Sequence, residues 1–217
     1  MTTGAAQPLR LLLVGATGVV GREVLRLALE APRIASVTAP TRRPLPAAER
    51  LENPVCDLTD PERQIPWHGF DAVICTLGTT IRVAGSPEAF AAVDRDLPIA
   101  VARLARAAGA TRFALNSSLG AAPGGNLYLR TKAEAEAGIR AVGYPALCIV
   151  RPSLIDAERE QSRPGEQIGL GIARWLRPLI PRRYRPVRPE WIARALLDGV
   201  LDGADGVTTI ESGDLQR

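Results

Sequence analysis

Leu11-Leu12-Leu13-Val14-Gly15-Ala16-Thr17-Gly18-Val19-Val20-Gly21-Arg22 is the stretch whose reading decides the fold. An apolar run stops abruptly at three glycines spaced three apart, and a helix-patterned segment follows through Glu23, Val24, Leu25, Leu27, Ala28 and Leu29. Strand, turn and helix in that order set the first helical N–H groups, and the positive end of the helix dipole, at the strand's C-terminal edge. A pyrophosphate fits there. Gly15 permits the tight turn, Gly18 lets phosphates approach the backbone, and Gly21 lets helix and strand pack closely. A plain strand–helix turn has the same glycines; the alternating strand and helix signals downstream give this one its weight.

Working outward, Leu9–Val14 reads as the first strand and residues 19–30 as a helix that ends before Pro32. Ile34–Ala39 is the expected second strand, delivering Thr41-Arg42-Arg43 to the same edge. An acidic residue near that strand end binds a ribose 2′-hydroxyl in NAD sites, but no Asp or Glu occurs between Glu30 and Glu49. Two arginines there instead suit a 2′-phosphate and can stack on adenine. The reading favours NADP(H) over NAD(H), with solvated loop arginines as the plain alternative.

Pro54-Val-Cys-Asp57 suggests a short third strand, whose Asp57 stands either to meet an adenine amino group or as a turn residue. Phe70–Leu77 reads as the fourth strand, ending in the small residues Gly78-Thr79-Thr80. A polar loop from Arg82 to Ser86 leads into a long helical stretch, Pro87 to about Ala108, that Pro98 starts, kinks or splits. Arg112–Asn116 is the fifth strand, Tyr128–Val142 a helix, and Ala146–Arg151 the sixth strand. Residues 156–165 read as a polar loop over the site, 167–177 and 189–201 as helices, and Val207–Glu211 as a last strand. The alternation predicts an α/β fold: one doubly wound parallel sheet over residues 1–217, with residues 153–205 forming a small substrate-side lobe.

Composition narrows the class. Hydrophobic residues are 46% of 217, enough for a substantial core, and no apolar run approaches the roughly 18 residues of a membrane span. Residues 1–8 show no charged region followed by an apolar one, so no export signal is expected. Cys56, Cys75 and Cys148 lack metal-ligand spacing and read as buried free thiols in a reducing cytoplasm. The single histidine, His68, sits in a polar turn, which argues against a histidine triad or a multi-histidine metal site. Of 27 basic residues only Lys132 is a lysine. Arg174 to Arg188 is arginine-rich, but Pro178, Pro181 and Pro186 break it, so a solvated face or an anionic-substrate lining is expected rather than nucleic-acid binding.

Tyr128-Leu129-Arg130-Thr131-Lys132 puts a phenol and an ammonium four residues apart, on one helix face. The ammonium stabilises a phenolate that exchanges a proton with an alcohol or carbonyl oxygen. Ser118, leaving the neighbouring strand, is placed to hold the same oxygen, with Ser117 as its substitute. A packed tyrosine and a solvated lysine are the ordinary reading of the same residues.

Together with Ile74–Thr80, Val93–Asp96 and Gln161-Ser162-Arg163-Pro164-Gly165-Glu166, these motifs resemble the atypical short-chain dehydrogenases/reductases over nearly the full chain. The branch they are most similar to contains the Tat-interacting-protein oxidoreductases. The resemblance implies a Rossmann fold with NADP(H) along the strand ends. It maps cofactor contacts onto Thr17, Gly18, Val19, Val20, Arg42, Arg43, Leu77, Gly78, Tyr128 and Lys132, with Ile155 and Arg163 added by a capping loop. Two departures stand out: Ser118 and Tyr128 are ten residues apart, short beside many catalytic relatives, and Asp94 occupies the place of a helix asparagine. The expected function is an NADP(H)-dependent oxidoreductase acting on a small carbonyl or alcohol. The alternative is a non-catalytic NADP(H)-binding redox sensor that works through a protein partner.

Overall fold

Leu11, Leu12, Leu13 and Val14 have no solvent exposure at all, because β1 (Leu9–Val14) is covered on both faces. Leu11 and Leu13 belong to one apolar core, Leu12 and Val14 to a second, so the strand is the wall between them. The computed structural model describes residues 7–156 and 181–216. Arg163, and the expected loop and helix between 157 and 180, lie outside the described residues.

From β1 the chain turns into α1 (Val19–Glu30) and returns as β2 (Ile34–Thr38) and β3 (Leu51–Glu52). A short α2 (Pro61–Gln64) precedes β4 (Ala72–Cys75), then come α3 (Ile81–Ala84), α4 (Pro87–Ala91) and α5 (Leu97–Ala107). β5 (Arg112–Asn116), α6 (Leu127–Arg140), β6 (Ala146–Arg151), α7 (Pro189–Asp202) and β7 (Gly206–Glu211) complete the described chain. The seven strands are ordered β3-β2-β1-β4-β5-β6-β7, every pair parallel. The order reverses between β1 and β4. A crevice opens at their C-terminal ends, where doubly wound sheets bind ligands.

The alternation of side chains repeats in every central strand. Ala72, Ile74, Ala114, Cys148 and Val150 pack with α1 and α7, while Val73, Cys75, Phe113, Leu115, Leu147 and Ile149 pack with α5 and α6. Burial pushes the Cys75 and Cys148 thiols up to about 11, so both behave as small apolar residues. Cys56 is only half-buried.

Several sequence expectations need correction. The third strand is Leu51–Glu52; Val55 makes only an isolated bridge to Thr41. The expected polar loop from Arg82 contains the short helix α3, capped by the Thr80 side chain. The long helix is divided by a π-helical turn over Ala92–Asp96, and Pro98 sits at the start of α5. Residues 189–202 are a core helix: Ile192, Ala193, Leu196, Leu197 and Val200 are buried against the sheet. Of the stretch expected on the substrate side, this part covers the sheet.

Candidate functional site

The glycine turn is closed by contacts that admit no other residue at two positions. Gly15 has φ +95, and a Cβ there would lie 2.7 Å from Thr76 Oγ1. A Cβ on Gly21 would lie 2.0 Å from the Gly15 carbonyl oxygen. Thr76, which the sequence reading passed over, braces this turn: its hydroxyl lies 3.1 Å from the carbonyls of both Val14 and Gly15. Helix α1 starts at Gly18 with no side-chain cap and no acidic residue in its first turn. The amides of Val19, Val20 and Gly21 therefore face the crevice without a capping acceptor, as a pyrophosphate requires. Thr17, Gly18 and Val19 are exposed, whereas the Val20 side chain is in the core, leaving its backbone as the contact.

Beyond β2 the chain is pinned by Asn53. Its amide nitrogen donates to Ala39 O at 2.5 Å and to Thr41 Oγ1 at 2.7 Å, and its Oδ1 accepts Leu45 N–H at 2.7 Å. This holds the loop carrying Arg42 and Arg43, both exposed and neither paired with a carboxylate among the described residues. Arg42 lines a concavity with Val55, Cys56, Asp57 and Gln64. Asp57 Oδ1 accepts from Thr59 N, Thr59 Oγ1 and Gln64 Nε2, and these bonds hold its carboxyl down at about 2. Asp57 thus holds a turn at the edge of the concavity.

On the other side of the crevice, Leu77 is half-buried and Gly78 exposed where the chain leaves β4. A Cβ on Gly78 would stand 3.5 Å from Asp94 Oδ1 and 3.6 Å from Lys132 Nζ, so Gly78 lies directly over that pair. Lys132 Nζ is 2.7 Å from Asp94 Oδ1. The contact is ionic, since Oδ1 has no aligned hydrogen-bond donor. Asp94 Oδ2 accepts Thr79 N–H at 2.8 Å. The alternative of a solvated lysine is thereby excluded: Lys132 is only 6% exposed.

Asn126 caps α6 through Leu129 N–H and puts Tyr128 in the first turn. The Tyr128 ring stacks on Phe90 at 5.8 Å between centroids, and Lys132 Nζ lies 5.9 Å from its centre. The tyrosine is half-buried, and its hydroxyl bonds to no described residue. Ser117 and Ser118 part company at the end of β5. The buried Ser117 hydroxyl donates to Glu136 Oε1 at 2.6 Å, while half-buried Ser118 makes only a 3.5 Å contact to the Leu119 carbonyl. Of the two, Ser118 has the more weakly held hydroxyl. Ile155, 38% exposed, bridges Val187 at the rim.

One functional cluster has no local sequence signal. Glu136, one turn beyond Lys132 and 3% exposed, receives both Ser117 and the Arg151 guanidinium, at 2.6 and 2.9 Å from the latter. Arg151 also reaches Glu211 at 3.0 Å. Only the pairing of β5, β6 and β7 brings these residues together.

A phosphate cradle, two unpaired arginines and a phenol beside an ammonium thus line one crevice, and these residues fit a dinucleotide. Comparison with known proteins bears on the same residues. Residues 15–170 match the protein family described as NAD(P)H-binding. Protein HTATIP2 of Rattus norvegicus is 36% identical over 160 residues, covering 71% of this chain and 66% of that protein. The protein fmp52, mitochondrial, of Aspergillus clavatus is 31% identical over 209 residues, covering 89% of this chain and 88% of the relative. The Bordetella bronchiseptica enzyme WbmG in complex with NAD superposes with a TM-score of 0.71 at 16% identity, over 97% of this chain and 75% of that one. That last likeness is one of fold.

Proposed function

The chain belongs to the NAD(P)H-binding family of Rossmann proteins, and from that premise we propose that it is an NADP(H)-dependent oxidoreductase acting on a small carbonyl or alcohol. The observation that carries this reading is Gly78 lying over Lys132, 3.6 Å from its Nζ to a Cβ position, with Tyr128 on the same face of α6. The amides that open α1 hold the pyrophosphate, and Arg42 and Arg43 hold the 2′-phosphate that distinguishes NADP(H) from NAD(H). The bound dinucleotide supplies or accepts a hydride. The Tyr128 hydroxyl gives a proton to the carbonyl oxygen, or takes one from the alcohol. Lys132, its charge balanced by Asp94, stands beside that phenol and hydrogen-bonds the ribose. Ser118, whose hydroxyl makes only a 3.5 Å contact within the protein, holds the substrate oxygen.

The test is consumption of NADPH with a panel of aldehydes, ketones and quinones. Tyr128→Phe removes one hydroxyl that no described residue uses, so NADPH affinity stays and turnover falls by roughly 10²–10⁴. Full turnover in that variant overturns the catalytic reading. A second reading, an NADP(H)-binding redox sensor without turnover, draws on the engagement of Lys132 by Asp94. It predicts tight NADPH binding and no consumption with any member of the panel.

A further inference from the structure

Asp94 sits on a five-residue π-helical turn, Ala92–Asp96. Such turns are rare, re-aim side chains and cluster at functional sites. Its carboxylate has two tasks, holding Thr79 N–H at 2.8 Å and Lys132 Nζ at 2.7 Å, with the two side chains 0% and 7% exposed. The neighbouring cation, Arg95, turns outward to Asp96 and Glu134. Among the described residues Lys132 is therefore neutralised by Asp94 alone. A buried ion pair carries a desolvation cost that an apolar pair of similar size avoids. Packing does not explain why this one is kept.

Its position does. With the pyrophosphate on α1 and the arginines beyond β2, the remaining half of a dinucleotide runs over the β4 and β5 ends, past Gly78. Gly78 lies on the ion pair. The oxidised nicotinamide ring carries a positive charge that the reduced ring lacks, so a charge beneath it acts on one redox form and not the other.

We propose that Asp94 sets the balance of affinity between the oxidised and reduced forms of the cofactor, by cancelling the Lys132 ammonium beneath the nicotinamide half. The proposal rests on the NADP(H) reading above. A lone ammonium would repel NADP+ and leave NADPH untouched; the pair presents no net charge to either. Asp94 is a positioning residue on this account, acting through Lys132.

The experiment is titration of the full-length protein with NADP+ and with NADPH, for the unmodified chain, Asp94→Asn, Lys132→Gln and the double variant. Asp94→Asn keeps an oxygen for Thr79 N–H and removes the charge. The ratio of the NADP+ to the NADPH dissociation constant should rise about tenfold in Asp94→Asn, as for a unit charge roughly 10 Å away at an effective dielectric near 20. In Lys132→Gln, which leaves the carboxylate alone, the ratio should move the opposite way. The double variant has neither charge and should return to the unmodified ratio. A role confined to packing weakens both forms alike and leaves the ratio fixed. An unmoved ratio in Asp94→Asn, or in Lys132→Gln should the first variant not fold, overturns the proposal. An unmodified protein that binds neither form fails earlier, at the NADP(H) reading itself.

Discussion

The two sides of the β1–β4 crevice follow opposite electrostatic plans. On the β2 side, Arg42 and Arg43 are exposed and pair with no described carboxylate, and α1 opens without a side-chain cap. On the β5 side, every charge that is buried has a protein partner: Lys132 with Asp94, and Glu136 with Arg151. On the proposed reading the first side awaits an anion. The second is complete as it stands, and its ion pairs fix α6 against the ends of β4, β5 and β6. On the proposed reading the contrast separates binding from positioning: unpaired surface cations select a ligand, and buried pairs hold the groups that act on it.

The comparison breaks most visibly at Glu136. Glu136→Ala leaves the Arg151 guanidinium and the Ser117 hydroxyl without their shared acceptor, and should lower unfolding free energy by about 3–5 kcal/mol. Chemical denaturation measures this. A loss no larger than that of a surface pair such as Arg26–Glu30, 49% and 64% exposed, would mean that the β5 side is not held by its charges. A smaller effect is expected at Lys132. An arginine there must fit a bulkier planar group beside Asp94 and under Gly78, at about 1–3 kcal/mol of overpacking. Melting should register the loss, and NADPH affinity should fall with it. Burial of the lysine is what makes the change felt in folding.

How far the sequence carried differs between the same two sides. The glycine turn was readable because each glycine answers a local need, a positive φ at Gly15 or, at Gly21, a packing in which a Cβ would lie 2.0 Å from the Gly15 carbonyl oxygen. β1, α1, β5 and β6 fall where their apolar runs and flanking turns place them. Arg42 and Arg43 stand out in the sequence for what is missing around them, and both are exposed. The third strand was not readable. Two residues, Leu51 and Glu52, pair with β2 because Arg50, at φ 62, reaches back to the carbonyls of Leu29, Ala31 and Ile34. No local pattern announces that. On the β5 side, Tyr128 and Lys132 share a helix face by spacing alone, but their partners, Phe90 and Asp94, come from the helical segment that follows β4. Asp94 depends on a π-helical turn, and Ser117, Glu136, Arg151 and Glu211 meet only through the strand order. Local pattern marked the glycine turn; long-range pairing assembled the buried ion pairs.

The smallest expected effect on stability belongs to the β2 side. Replacing both Arg42 and Arg43 by alanine breaks no described ion pair and should change unfolding free energy by no more than about 0.5 kcal/mol. Coincident denaturation curves with the unmodified protein would show it.

That same double variant carries the most direct test of the account, through calorimetric titration with NADPH and with NADH. If the unpaired arginines await a 2′-phosphate, the unmodified protein binds NADPH at least about tenfold more tightly than NADH, a difference near 1.4 kcal/mol. The variant, folded as well as its parent, should lose most of that gap while keeping its NADH affinity. Equal affinity for the two cofactors in the unmodified protein, or a gap that survives the loss of both arginines, would contradict it.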